Sequence, residues 1–529
     1  MNRSGWLLAC SIVLLGLAGC AKREATDAAH GQVLRVSQRN EPADLDPATA
    51  TLPDEFFVIR ALSEGLLIPD PAGGAPLPAA ADRFDVSLDG LTYTFHLRAD
   101  AKWSNGEPVT AADFVESYRR LLTPATAATK ADLFFAVKNA RAFATGTLAD
   151  FSTVGFREAD AHSFVVTLAQ PTPRFPYYVA SGPWIPVNPR AVAQHGRSWT
   201  QPGRFVGNGP FNLTEWRQHQ RIVAKKNPAY HGAAGVRLEE IQFLRFDSGD
   251  TEERAFRAGQ IDVTMDVPKT KIDSYARDNP TEFHRAPVAE TRFLSFNTRR
   301  PALGDPRVRR ALALAVDRRQ IVEHVLLGGQ SPATDFLPPQ LAGRGLSPTP
   351  VSGVKPDLQT TATAEAQRLL AAAGFPGGKG FPRFEVSAWS SSQSPVLETL
   401  QAMWRQELGI DVSISIRDAK VHLAALAAGD YDIAFATTLP LLEVADPLLL
   451  MENFVSGAAG NYPHWSDARF DAMVARADFA AAETRLLELA AVAPLYFNTR
   501  TWLMSPRVRG WQEDALWSRS YLHVYLDEK

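Results

Sequence analysis

Apolar and polar positions alternate strictly from Leu91 to Arg98. Leu91, Tyr93, Phe95 and Leu97 fall on one side, and Thr92, Thr94, His96 and Arg98 on the other. Successive side chains of a strand point to opposite faces, so this run predicts a strand with one face buried. Trp103-Ser104-Asn105-Gly106 then breaks the alternation as a turn carrying a large aromatic anchor. Beyond it the period becomes helical, with Phe114, Val115, Tyr118, Leu121 and Leu122 on one stripe and Thr123-Pro124 as the stop. Thr110-Ala111-Ala112-Asp113 has the capping-box pattern: the Asp113 carboxylate can reach back to the Thr110 N–H and satisfy a donor the helix leaves unpaired. Residues 89–122 therefore read as one packing unit of strand, aromatic turn and capped helix.

The same changes of period recur along most of the chain and predict an α/β protein. Residues 33–37 read as a strand, 54–67 as a helix with Gly65 near its end, and 69–78 as a Pro/Gly/Ala connection. Phe293, Leu294 and Phe296 read as a further strand. Asp305-Pro306 then opens a helix as N-cap and first helical residue. There is also an internal echo. Ala255 to Val263 and Leu426 to Ala434 both run from a helix through a glycine (Gly259, Gly429) into a strand carrying an aspartate (Asp262, Asp432). Glycine suits the left-handed residue after a helix. Two such corners far apart suggest two α/β lobes.

The ends and the composition narrow the class. Arg3 followed by the apolar run 6–18 is too short to span a bilayer and reads as an export signal. It ends Leu17-Ala18-Gly19-Cys20, small residues leading into a cysteine, which resembles a bacterial lipobox. The expectation is cleavage before Cys20, lipid attachment to Cys20, and a polar tether over 21–31. Ala21 in place of Asp leans towards the outer membrane in a Gram-negative host. The only other cysteine, Cys10, lies in the removed segment, so the mature chain forms no disulfide and must be stabilised by core burial. The formal net charge of −3 becomes one unit more negative when Arg3 is lost, too balanced for a nucleic-acid-binding face.

No catalytic grammar is present. The sequence contains no H-E-x-x-H helix, G-x-S-x-G elbow or G-x-x-x-x-G-K-[ST] loop, and Gly377-Gly378-Lys379-Gly380 has the wrong spacing and reads as the loop after a helix. His219, His231 and His284 read as surface or supporting groups rather than metal ligands, and His162 and His195 lack partners at any familiar spacing. The expectation is no enzyme, no catalytic residue, no metal and no cofactor.

The string YTFHLRADAKWSNGEPVTAADFV closely resembles the signature of the periplasmic oligopeptide-binding proteins, the family 5 solute receptors of peptide ABC transporters. Trp199 to Gly203, Asn208-Gly209-Pro210-Phe211, Lys226 to Tyr230 and FNTRRPALGDPRVRRALALAVDRRQIV follow in the family's order, so the resemblance runs from about Val33 to about Tyr525. It implies a two-lobed periplasmic-binding-protein type II fold with an inserted extra domain and a two-strand hinge. By motif, 1–19 is the signal and 20–30 the tether. The first lobe holds 31–67, 185–292 and 493–529, the extra domain 68–184, and the second lobe 293–492, with hinge strands near 293–297 and 495–498. The implied function is capture of peptides between closing lobes for delivery to the permease of an ABC importer. The protein would be a monomer in the periplasm or cell envelope, lipid-anchored to a membrane and binding no nucleic acid.

Two strips match those that hydrogen-bond an extended peptide in that family: Thr51 and Leu52, and Thr437, Thr438 and Leu439. The second departs from the pattern. ATTLPLLEVADPLLL has no Trp, and Leu441 and Leu442 stand where an aspartate pairs with the peptide's ammonium group. Either Glu443 takes that role, with a loop-surface acid as its bland alternative, or the ligand lacks a free amino terminus there. Asp446-Pro447 reads as a helix cap. The segment 480–494 looks shorter than usual. Alternatives are the same fold holding a modified peptide, a cell-wall fragment or a metal or cofactor complex, and an envelope enzyme reusing the fold.

Overall fold

The computed structural model describes residues 31–72, 74–341, 356–438, 444 and 446–527, with 356–360 through their helical backbone. It is a mixed α/β structure built on three principal sheets. In the first, Val33–Gln38 lies parallel to Glu240–Arg245, which pairs antiparallel with Arg221–Lys226, followed by Phe211–Arg217. Register places Leu34 beside Ile241 and Val36 beside Phe243, so the period-2 pattern produces a continuous apolar face. Phe56, Val58, Ile59 and Leu62 of the helix Pro53–Leu62 pack into the same core.

That helix stops five residues before the expected end at Leu67. The cause is the Asn208-Gly209 motif. Gly209 donates its N–H to the Leu62 carbonyl (3.0 Å), and the Asn208 amide brackets Glu64, accepting from its N–H (3.1 Å) and donating to its carbonyl (3.0 Å). A β-carbon on Gly209 would lie 2.5 Å from the Ser63 nitrogen, so the close approach requires glycine. Leu67–Ile68 then forms a short strand with Leu77–Pro78.

The second sheet is wholly antiparallel, in the order Ala81–Val86, Thr92–Leu97, Ser163–Thr167, Phe156–Asp160. Tyr93, Phe95 and Leu97 are buried, as the alternation predicts. The helix Ala111–Leu122 covers this core with Phe114, Tyr118, Leu121 and Leu122. Its capping box forms, and one Asp113 carboxylate oxygen accepts from the Thr110 N–H (2.9 Å) and from the fully buried Trp103 indole N–H (3.1 Å). Turn and helix are thus tied through one atom.

The third sheet has six strands, in the order Ser331–Pro332, Val492–Leu503, Phe283–Phe296, Ile433–Thr437, Phe384–Ala388, Val412–Ile416. Its two longest members cross the molecule antiparallel to each other. At one end Trp502 joins the core of the first sheet, and at the other Leu294, Phe296 and Leu495 join the core of the second lobe. The type II fold with two crossing strands is the one expected. Register between the two strands shifts twice, between Pro287 and Thr291 and again between Arg292 and Phe293, and Phe293 to Phe296 also pair with Ala436 to Ile433.

The internal echo has a physical content. Gly259 and Gly429 both adopt left-handed φ. Asp262 accepts from the Arg35 N–H (2.8 Å), and Asp432 accepts from the Glu385 N–H (3.0 Å). In each lobe, an aspartate after the helix stop fastens a neighbouring strand. Segment 480–494 comprises most of the helix Phe479–Glu488 and the entry to Val492–Leu503.

Candidate functional site

A cavity of about 240 Å³ opens between the two lobes, where the crossing strands pass. One wall comes from Pro53–Leu62, which presents Phe56, Phe57 and Arg60, and from Leu516-Trp517-Ser518 near the C-terminus. Phe57 and Trp517 meet edge to face at 5.4 Å. Behind them Arg519 lies 4.0 Å over Phe57 and Arg500 lies 4.2 Å over Trp517, each guanidinium against an electron-rich ring face. Both arginines pair with the buried Glu513, and burial pushes Arg500 down to about 10. The facing wall comes from the second lobe: Trp389 after Phe384–Ala388, His422, Leu423 and Leu426 on the helix Ala419–Ala428, and Tyr462.

The floor is polar and sits on the crossing strand. Glu290 is buried, and its Oε1 lies 2.7 Å from Arg292 Nε, an approach held by charge rather than by an aligned hydrogen bond. Thr437 donates its hydroxyl to the same carboxylate, and Asn498 donates to Oε2 (2.6 Å). The Arg292 guanidinium lies 5.2 Å over Trp389. A buried carboxylate is tolerated only when paired and hydrogen-bonded, and Glu290 meets both conditions.

His422 is fully buried. Its Nε2–H donates to the Phe435 carbonyl (3.2 Å), and burial holds the imidazole below its ordinary range, in the neutral form. Nδ1 is then a lone-pair acceptor, and it has no partner among the described residues. Across the cavity, Trp517 Nε1–H is a donor with none.

Thr51 and Leu52 line the cavity, but both of their N–H groups donate to Glu55 Oε2 (2.7 and 2.9 Å). A ligand would meet this strip through carbonyl oxygens and side chains. Thr437 lines the floor. Thr438 does not: it is fully buried, its N–H donates to the Thr291 carbonyl (3.1 Å) and its hydroxyl accepts from the Thr291 N–H (2.9 Å). Adjacent strand residues face opposite ways, so the two threonines divide into a floor residue and a strand clamp. Leu439, Glu443 and the lipobox Cys20 lie outside the described residues. Asp446 caps Pro447–Glu452 through the Leu448 N–H (3.0 Å), as expected. It also accepts from Tyr178 Oη (3.3 Å) of the helix Phe175–Val179 and lies 3.4 Å from Arg174 Nε.

Sequence reading passed over Glu290, Arg292, Trp389, His422 and Trp517 as site residues. Glu290 and Arg292 did carry a signal, opposite charges two apart on a strand and so on one face. The other three come from segments that nothing local connects.

Two lobes, crossing strands and a largely apolar cavity between them with a few polar groups define a ligand-capturing receptor. The chain matches the model for bacterial extracellular solute-binding proteins, family 5 (Middle), over residues 75–462, and it belongs to that family. It is 32% identical to the periplasmic murein peptide-binding protein MppA of Escherichia coli (strain K12), over 91% of each chain. It is also 32% identical to the probable deoxycholate-binding periplasmic protein YgiS of the same strain, over 92% of this chain and 91% of that one. The solved Escherichia coli murein tripeptide binding protein MppA superposes with a TM-score of 0.84 at 30% identity, covering 95% of this chain and 99% of that one. No helix among the described residues is long and apolar enough to cross a membrane, and none of their side chains cluster as a metal site.

Proposed function

We propose that this chain is an extracytoplasmic receptor that captures peptides between its two lobes and hands them unaltered to an ABC importer, anchored to the membrane through lipid on Cys20. The observation that carries the reading is the cavity walled by Phe57 and Trp517 on one side and Trp389 and His422 on the other, in a chain alike over 91% of its length to a murein peptide-binding protein. Lobe closure would bury a ligand on both sides and present only the loaded form to the permease. The proposed units are 31–67, 185–292 and 493–529 for the first lobe, 68–184 for the insertion and 293–492 for the second lobe. Denaturing and refolding the protein to strip endogenous ligand, then measuring thermal unfolding with pooled peptides, tests the reading. Ligand at a hundred times Kd adds about 2.7 kcal/mol of stability, and no shift with any pool refutes peptide binding. Cys20→Ser is expected to release the protein from the membrane fraction, and retention there would contradict lipid anchoring.

A second reading, a non-peptide amphipathic ligand, is favoured by the apolar walls and by the similarity to a probable deoxycholate-binding protein. Mass spectrometry of small molecules carried through purification separates the two.

A further inference from the structure

Resting on the peptide reading, we propose that Glu513 is the positioning residue of the aromatic wall: through Arg500 and Arg519 it sets Phe57 and Trp517 where a ligand meets them. Three observations converge. First, Trp517 is held at a backbone cost. It sits in the turn of the hairpin formed by Gln512–Glu513 and Arg519–Ser520, with φ at 68°, in the left-handed region that a bulky side chain rarely adopts. The Asp514 carboxylate enforces the turn by accepting from the N–H groups of Leu516 (2.9 Å) and Ser518 (2.7 Å). Such strain persists only where the surroundings over-determine it, and it clusters at sites that hold ligands. Second, the hairpin is fastened to both crossing strands. Ala289, the neighbour of the floor residue Glu290, donates its N–H to the Ala515 carbonyl (2.7 Å) where the register of those strands shifts. Arg500 lies on the other strand and pairs with Glu513. Third, one carboxylate oxygen holds two cations. Glu513 Oε1 meets Arg500 and, at 3.2 Å, Arg519 Nε, and all three side chains are largely buried. Each guanidinium in turn lies against a ring that lines the cavity. Without the Glu513 charge, two like charges would be left together out of water. They would part, and the rings packed on them would move. A wall set from within the protein needs no ordering when a ligand arrives, so less entropy opposes capture.

Two readouts on the full-length protein, stripped of ligand, test the role of Glu513. Fluorotryptophan labelling gives the tryptophans fluorine resonances, and Trp517→Gly assigns the one from Trp517. Glu513→Gln keeps the side-chain shape and removes the charge. It is expected to shift or broaden the Trp517 resonance, and an unmoved resonance would overturn the proposal. Isothermal titration with pooled tripeptides and, separately, with deoxycholate gives the second readout. Glu513→Gln is expected to weaken binding about ten-fold, and Trp517→Gly about ten-fold or more. Acting through the ring, Glu513→Gln should cost little further affinity once Trp517→Gly is present. Equal penalties in both backgrounds would show that Glu513 supports the fold without setting the wall. Arg500→Lys keeps the ion pair but loses the planar guanidinium against Trp517, and it carries the same two readouts should Glu513→Gln fail to fold. If deoxycholate binds and no peptide does, the peptide reading fails, and the cycle read with deoxycholate decides the role of Glu513. If neither binds, the peptide reading fails and the Trp517 resonance alone decides it.

Discussion

The inserted segment and the cleft are built by different means. Around Trp103 each partner lies close in sequence: Asp113 caps its own helix and holds the Trp103 indole ten residues away. Around His422 the cavity lining is assembled from remote stretches, with Trp389, Glu290 and Trp517 arriving from three segments. The first region is an apolar core in which Asp113 ties turn and helix together through hydrogen bonds. The second is assembled from both lobes around a paired, polar floor. Stability is concentrated where local and tertiary preferences agree, and function where they are left open.

Four changes should separate the two regions. Trp103→Ala removes a fully buried indole and the partner of Asp113, and is expected to cost about 3–5 kcal/mol in urea unfolding while ligand affinity of the folded protein is unchanged. A loss of affinity would mean that the inserted segment is part of the site. Glu290→Gln leaves Arg292 without its counter-charge and should cost about 3 kcal/mol, with weakened ligand binding. Unaltered stability would show that the floor pair is dispensable.

Tyr178→Phe removes the hydroxyl donor to Asp446, which links the inserted segment to the second lobe. About 1 kcal/mol should be lost from the closed form, read as weaker ligand affinity and a larger radius of gyration in X-ray scattering. An unchanged radius would argue that the contact does not bias closure.

The smallest effect is in pH dependence. Burial holds the His422 imidazole below its unfolded range, so the unfolded chain binds the proton more readily. This contribution to stability is present above the unfolded value of about 6.5 and is lost as pH falls through the folded value. Wild type should therefore lose urea stability relative to His422→Gln between pH 7 and pH 5, and parallel profiles would contradict a neutral buried imidazole.

What the sequence disclosed follows the same division. Asp305 and Asp446 cap their helices as read, because a cap is decided by neighbours within a turn. The strand 91–98 and the helix after Thr110 are legible for the same reason. The 54–67 helix was read too long because its stop is imposed by Asn208 and Gly209, some 145 residues on. Thr438 was read as facing the ligand because a motif match assigns a strip and not a face. Its neighbour Thr437 reaches the floor. The missing ammonium partner was sought only around Glu443, whereas the buried carboxylate at the described floor is Glu290, on the crossing strand. His422 and Trp517 carry no local signal, since a lone histidine on a helix and a tryptophan near a terminus acquire their meaning only when two lobes face each other.

The most direct test of peptide capture is native mass spectrometry of the protein isolated from the envelope fraction without denaturation. One-to-one complexes that release peptides are expected. Complexes that release only non-peptidic molecules would contradict it.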